Sequence, residues 1–413
     1  MPKVPIWQKL LVRSCKLAKN IAVFGLGYVG LPLCIEAIKS DYKVFGVDVN
    51  LEKIDRLKMG QSDIEGINND TLLEFLESRK FEIVSEINSD QNIEIILICV
   101  PTPLDNSKKP DLSMLTLAVK SIGKILTKGT LVIVESTIEP GTTRHIILPI
   151  LEKESGLSRD QFELAFSPER IDPNNNVWQI SNTPKLVAGL TAQSAQSAAE
   201  FYSSFVSQIE VASTLEAAEA AKLLENSFRL INISFVNEFR IFCEKLGIDV
   251  QEVIRLAATK PYGFMPFYPS IGVGGHCIPI DPMYLANKAT EIGAPSKMIN
   301  LAYEINSEVP EYISSLAEKK IGKLVGKKII VIGITYKPNI SDMRETQVSN
   351  LISTLEKKGA IVKWHDQFVQ DWKGSKSVPL SSDYDLAIVA TKHDYIDISK
   401  LGSIPILNTN GSI

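Results

Sequence analysis

Cys277 stands in the run Gly274-Gly275-His276-Cys277-Ile278-Pro279-Ile280-Asp281, with two glycines before the thiol and a carboxylate four residues after it. Glycines admit a close approach by backbone or substrate, and prolines fix the path of a loop. A loop so constrained can hold a nucleophile still. A lone cysteine is by default a small buried hydrophobe, so a nucleophile needs partners elsewhere in the chain. Lys222 and Asn226 lie four residues apart in a helical pattern and would share one face. An ammonium and an amide side by side would stabilise an oxyanion. Glu169, in Ser167-Pro168-Glu169-Arg170, follows a strand pattern and would activate water, and Asp281 would accept a proton directly or through water. His276 reads as a residue that shapes the loop. Only four histidines occur in the chain, which leaves little for a His-based triad, and no metal site is expected.

A nucleophilic thiol gains a specific meaning beside a dinucleotide site. Gly25-Leu26-Gly27-Tyr28-Val29-Gly30 follows a short apolar strand and opens a helix, and Asp48 ends the next strand. Gly25 would make the tight turn, Gly27 would admit the pyrophosphate, and Gly30 would let helix and strand pack closely. Tyr28 and Val29 complete the cofactor fingerprint, with the helix N-terminus facing the phosphates. Asp48 would bond the adenosine ribose and repel a 2′-phosphate, which favours NAD over NADP, with Lys53 nearby. Thr102 in the loop after one strand, and Ser136 and Thr137 in the loop after another, suit contacts to the nicotinamide ribose. A cysteine together with NAD suggests oxidation through a thioester. Lys337 and Arg344 lie in Tyr336–Thr346, between a strand and a helix, where a phosphate or sugar hydroxyl would sit.

The elements behind these residues read as an α/β fold. Strands are predicted at 21–24, 43–47, 93–100, 130–135 and 163–166, alternating with helices in the manner of a doubly wound parallel sheet. Leu215–Leu246 has helical spacing with no Gly or Pro, far beyond the usual helix length. A second alternating region has strands at 328–332, 361–364 and 385–391, and no GxGxxG. The expectation is two Rossmann-like doubly wound domains joined by a long central helix and a helical middle domain. The boundaries are 1–210 for the NAD-binding domain with its N-terminal extension, 211–310 for the central dimerisation and catalytic-Cys domain, and 311–413 for the substrate-binding domain. A chain of 413 residues is too long for one core. A net charge of −4 gives no pull toward nucleic acid. No apolar run is long enough to span a bilayer. Five scattered cysteines with no CxxC suggest a reducing, cytoplasmic setting. Residues 3–19, with five basic side chains around Trp7, are expected to form a leading helix on the first domain.

Taken together, these motifs resemble the UDP-glucose/GDP-mannose dehydrogenase family. GLGYVGLPL, VPTP, STIEPGTT, SPER, the Lys222/Asn226 helix, GGHCIPIDP and YKPNISDMRE occur in the family's order across residues 20 to 410. Within the family, Lys260–Pro269 looks like the UDP-N-acetylglucosamine 6-dehydrogenase branch. The resemblance implies two successive oxidations of the sugar C6 hydroxyl by NAD. Asp281, with Lys222 or a water, would assist deprotonation, and Cys277 would capture the aldehyde as a thiohemiacetal. A thioester would follow, hydrolysed by water that Glu169 assists and Thr137 positions, while Lys222 and Asn226 hold the oxyanion. Glu169, Arg170, Lys222, Asn226, Tyr268, Gly272, Gly274 and Lys337 would contact the UDP-N-acetylhexosamine, and Arg344 would reach NAD. The resemblance also implies a homodimer through the central helix, and a role in making surface polysaccharide. UDP-N-acetylmannosamine or UDP-glucose as substrate is the alternative, as is a non-catalytic nucleotide-sugar-binding homologue. A two-electron hydroxyacid dehydrogenase would share the first domain but would not need Cys277. Two positions depart from the family pattern. Gly-Pro-Gly becomes Ser270-Ile271-Gly272, which would shift the loop, and an expected arginine becomes Asn410. Loss of one charged contact would cost about 1.5–3 kcal/mol.

Overall fold

A computed structural model describes residues 19–62, 64, 66–172, 175, 177–394 and 396–411; the N-terminal helix expected before Lys19 lies outside them. The chain divides into two compact units. The first runs up to Pro101 and includes Ser113–Ser136 and Thr142–Ala218; the second comprises Thr102–Leu112, Thr137–Gly141 and Glu219–Ile413.

The first unit contains β1 (Asn20–Phe24), α1 (Gly30–Lys39), β2 (Lys43–Val47), α2 (Leu51–Lys58), α3 (Asn69–Glu77), β3 (Phe81–Val84) and β4 (Ile95–Ile98). It continues with α4 (Ser113–Ile125), β5 (Leu131–Val134), α5 (Leu148–Ser155), β6 (Glu163–Phe166), β7 (Lys185–Gly189), α6 (Ala192–Tyr202) and β8 (Ile209–Val211). The strands form one sheet in the order β3-β2-β1-β4-β5-β6-β7-β8, parallel except between β6 and β7. β4 and β5 are buried along their whole length. Such strands are apolar at every position because helices cover both faces. The order 3-2-1-4-5-6 is that of doubly wound dinucleotide-binding sheets, in which ligands sit beyond the carboxyl ends of the strands.

α7 (Leu215–Leu246) begins at the end of the first unit and supplies the spine of the second. It stops at Gly247, whose φ of +74° suits glycine at a helix C-terminus. α8 (Val250–Ala257), α9 (Asp281–Glu291) and α10 (Lys297–Ile321) follow. A smaller α/β layer completes the unit with β9 (Lys328–Ile332), α11 (Val348–Lys357), β10 (Ile361–His365), the hairpin β11 (Asp371–Trp372) and β12 (Ser375–Lys376), β13 (Leu386–Val389) and β14 (Ile406–Asn408). β10-β9-β13-β14 form a fully parallel sheet. Each expected strand is present, with ends that agree to within two residues.

The small sheet repeats a detail of the large one. Gly25, at φ +96°, donates its N–H to Val47, and the Leu26 N–H donates to Asp48 Oδ2 at 3.0 Å. Gly333, at φ +77°, donates to His365, and the Ile334 N–H donates to Asp366 Oδ2 at 2.8 Å. In both sheets a glycine turn leaves the first strand and an aspartate ends the neighbouring one.

Candidate active site

The glycine loop after β1 has the shape a dinucleotide needs. A Cβ on Gly30 would lie 1.8 Å from the Gly25 carbonyl oxygen, and one on Gly25 would lie 2.6 Å from that of Cys99. Both positions therefore require glycine for close packing. A Cβ on Gly27 would meet nothing within 4 Å, so the space in front of it is open for a pyrophosphate. Val29 stands at the N-cap of α1, and Tyr28 packs against the core of the unit. Asp48 Oδ2 also accepts from Lys53 Nζ at 2.9 Å, and Oδ1 accepts from the Asn50 N–H at 3.0 Å. Burial alone would raise its pKa, but these donors outweigh that and hold Asp48 below its ordinary value. A carboxylate offers about four lone-pair directions, which leaves room for a ribose hydroxyl. These residues fit NAD.

The second unit holds most of the candidate reacting groups, though not Glu169. Cys277 is in no disulfide and half-buried, and its carbonyl accepts the N–H of Asp281 at 2.8 Å. That bond closes a turn just ahead of α9, whose N-cap is Ile280, so Cys277 lies one turn before the helix begins. Lys222, Asn226 and Asp281 are all buried. Asn226 Nδ2 donates to Asp281 Oδ2 at 2.6 Å, and the Thr137 side chain also bonds Asp281. Burial pushes the Asp281 carboxyl up to about 6 against the opposing pull of Lys222, Asn226 and Thr137. Asn226 therefore faces Asp281 as well as sharing a helix face with Lys222. His276 is pushed down, by burial first and by the Arg344 charge second.

The paired glycines have a structural cause in Tyr336. A Cβ on Gly274 would lie 2.6 Å from Tyr336 Cβ, and one on Gly275 would lie 2.9 Å from the tyrosine ring. The Gly275 N–H donates to the Arg344 carbonyl at 2.9 Å. The cysteine loop is thus seated on Tyr336–Thr346, the segment that carries Lys337 and Arg344. Arg344 forks onto Asp342, Nη2 to Oδ2 at 2.6 Å, and the Lys337 carbonyl accepts from Thr335 Oγ1. Asn339 holds a left-handed φ of +63° and donates its N–H to His393 Nδ1, while His393 Nε2 meets Asp366 at 3.0 Å.

Tyr268 is exposed on the stretch leading into this loop. Gly272, at φ +114°, donates its N–H to Ser270 Oγ, and the Ser270 N–H donates to Asn237 Oδ1 at 2.9 Å. Ser270 therefore closes its own turn without a left-handed backbone. Near Asn410, Arg240 Nη1 donates to the Thr409 carbonyl at 2.6 Å and Gln251 Nε2 to that of Asn410. Arg240 is buried and paired with Glu244, so it pins this strand end.

Thr102 and Thr137 belong with the second unit, and Thr102 Oγ1 donates to the Thr137 carbonyl at 2.8 Å. Ser136 Oγ donates to the Val100 carbonyl at 2.7 Å. Glu169 and Arg170 lie in the first unit, Glu169 nearly fully buried after β6. Two residues absent from the sequence reading hold these loops. The Tyr284 hydroxyl donates to the Thr102 carbonyl at 2.9 Å, and Glu219 accepts the Gly141 N–H at 2.6 Å. Glu219 shares the helix face of Lys222 and Asn226 by its spacing, and that signal was open to reading. Tyr284, three residues past Asp281, carries no such mark.

Among the described residues no cluster of three metal-ligating side chains occurs, and no helix is long and apolar enough to cross a membrane. Residues 19–206 match the NAD binding domain of the UDP-glucose/GDP-mannose dehydrogenase family, 216–308 its central domain and 330–405 its UDP binding domain. The chain is 37% identical to UDP-N-acetyl-D-glucosamine 6-dehydrogenase of Salmonella typhi, over 91% of this chain and 90% of that one. It is 35% identical to UDP-N-acetyl-D-mannosamine dehydrogenase of Methanococcus maripaludis, over 91% and 86%. Among solved structures, the UDP-D-ManNAc dehydrogenase of Pyrococcus horikoshii superposes with a TM-score of 0.87 at 31% identity, covering 95% of this chain and 96% of that one.

Proposed function

The chain belongs to the UDP-glucose/GDP-mannose dehydrogenase family, and on that footing we propose that it oxidises the C6 hydroxyl of UDP-N-acetylglucosamine to the uronate. It is an NAD-dependent UDP-sugar dehydrogenase, and its substrates are UDP-N-acetylhexosamines. The observation that carries the mechanism is Cys277 one turn ahead of a buried Asp281, whose carboxylate is held by Asn226, Lys222 and Thr137.

Bound NAD, held by Gly25, Gly27, Tyr28, Val29, Gly30, Asp48 and Lys53 with Thr102, Ser136, Thr137 and Arg344, would accept a hydride in each of two oxidations. Asp281, with Lys222 or a water, takes the proton of the C6 hydroxyl. A carboxylate raised to about 6 is ionised at neutral pH yet more basic than an ordinary one. The Cys277 sulfur adds to the aldehyde carbon, and Lys222 with Asn226 holds the resulting oxyanion. After the second oxidation the sugar is a thioester on Cys277. Water, positioned by Thr137 and deprotonated by Glu169, releases the uronate and frees the thiol. Glu169, Arg170, Lys222, Asn226, Tyr268, Gly272, Gly274 and Lys337 contact the nucleotide sugar.

The choice of sugar rests on Lys260–Pro269 and on the Salmonella relative. In a panel of UDP sugars assayed for NADH release, UDP-N-acetylglucosamine should show the highest kcat/KM, by about tenfold over its C2 epimer, since one well-placed polar contact is worth about 1.5 kcal/mol. A higher kcat/KM for UDP-N-acetylmannosamine would reverse the assignment, and that epimer is named by both the archaeal relative and the superposed structure.

We also assign the protein three domains, with 1–210 for NAD, 211–310 for Cys277 and dimerisation, and 311–413 for the UDP sugar. Leu224, Phe228, Phe235, Phe242 and Leu246 form an exposed apolar stripe along α7 at helical spacing. A homodimer would bury it. Phe235→Glu should convert a sedimenting dimer to monomer, and an unchanged dimer would count against this surface.

A further inference from the structure

The loop that carries Glu169 is fastened to three successive residues, Pro184 and the first two residues of β7. Ser167 Oγ donates to the Leu186 carbonyl at 2.8 Å, and Arg170 Nη1 donates to the Pro184 carbonyl at 3.0 Å. Between them, Lys185 Nζ reaches back and donates to the Pro168 carbonyl at 3.1 Å. The same ammonium donates to Glu135 Oε2 at 2.6 Å, and the Tyr202 hydroxyl donates to Oε1 of that carboxylate. Lys185 also stands 4.9 Å over the Tyr202 ring. The Lys185 side chain is 10% exposed and that of Glu135 wholly buried.

A buried ion pair is a weak stabiliser, because apolar side chains of the same volume serve as well or better. This pair does something apolar side chains cannot. It presents a charged donor to the peptide oxygen immediately before Glu169, and charge-assisted bonds in a dry interior hold direction closely. The other two fastenings fix the loop's ends; the ammonium fixes the tilt of the Pro168–Glu169 peptide. None of the three residues was singled out by motif or spacing in the chain.

We propose that Lys185, held in place by Glu135 and Tyr202, is a positioning residue that aims the Glu169 carboxylate for the release step. This rests on the reading of Glu169 as the base for thioester hydrolysis. In that step the water oxygen bonds to the acyl carbon, one water proton passes to Glu169, and the C–S bond breaks with its electron pair returning to the Cys277 sulfur. A misaimed base leaves substrate binding and both oxidations intact while slowing this one step.

The test compares Glu169→Gln, the double variant Glu135→Gln/Lys185→Met and Lys185→Arg with the parent enzyme. The double variant removes both charges together, so no ion is stranded in the core. Each is mixed rapidly with saturating NAD and UDP-N-acetylglucosamine, NADH is followed by absorbance, and Cys277 adducts are followed by intact-protein mass. The double variant should give a burst approaching two NADH per site and then a steady rate about 10²-fold below the parent. An acyl adduct should accumulate and KM should stay within about threefold. Lys185→Arg, which keeps the cation, should recover most of the steady rate. Should the double variant not fold, Tyr202→Phe, which keeps the pair and drops one hydrogen bond, should show the same burst and adduct with release slowed about threefold or more. An unaltered steady rate, or a slower one without adduct, overturns the clamp. Adduct in Glu169→Gln but in none of the clamp variants overturns the clamp alone. No adduct even in Glu169→Gln overturns the reading of Glu169, and the clamp with it.

Discussion

Cys277→Ser should lower steady-state NADH production by about 10³-fold or more and leave a covalent sugar on the protein. A serine hydroxyl in the turn ahead of α9 can still add to the aldehyde, but it is the weaker nucleophile. The oxygen ester formed after the second oxidation also expels a poorer leaving group than a thiolate. Turnover should therefore stall after aldehyde or ester formation, with NADH ending near one per site in the first case and two per site in the second. Mass spectrometry of the intact chain would show the adduct. Full turnover in the variant would remove Cys277 from the mechanism. The thiol is suited to this role by its place, because Gly274 and Gly275 let the loop lie close on Tyr336 and the Cys277 carbonyl is bonded by the Asp281 N–H.

Asp281→Asn should reduce kcat by about 10²–10⁴-fold, the usual contribution of a general base. Its pH profile makes the prediction specific. Burial raises the Asp281 carboxyl to about 6, so the free enzyme should gain kcat/KM tenfold per pH unit up to about pH 6 and level off above it. The sign follows from the role, since only the ionised carboxylate accepts the hydroxyl proton. An ordinary aspartate would place that limb near 4. In Asp281→Asn the limb near 6 should vanish along with the rate. A variant that keeps the same limb would assign it to another group.

Much of this was legible in the chain because local pattern and tertiary role coincide. Leu215–Leu246 reads as one helix and is one, since no Gly or Pro interrupts it until Gly247. The apolar runs at 95–98 and 131–134 read as buried strands because a doubly wound sheet is covered on both faces. The glycine fingerprint with Asp48, and Lys222 with Asn226 on one helix face, follow from spacing alone. The rest depends on contacts distant in sequence. Nothing in Thr102–Leu112 or Thr137–Gly141 announces that these loops pack with the second unit, through Tyr284 and Glu219. The antiparallel pairing of β6 with β7 has no periodic signature. The resemblance between Gly25–Asp48 and Gly333–Asp366 is hidden because the second pair is more widely spaced and lacks the later glycines. Ser270 illustrates compensation. The glycine expected there is gone, and an Asn237 acceptor with a side-chain turn closes the loop instead.

The central claim is a four-electron oxidation through Cys277, and the ratio of NADH to uronate tests it most directly. With UDP-N-acetylglucosamine and excess NAD under anaerobic conditions, NADH is read by absorbance and the sugar product is quantified by mass spectrometry. The account predicts two NADH for each uronate, with no free aldehyde. One NADH per sugar, with aldehyde released as the product, would contradict it.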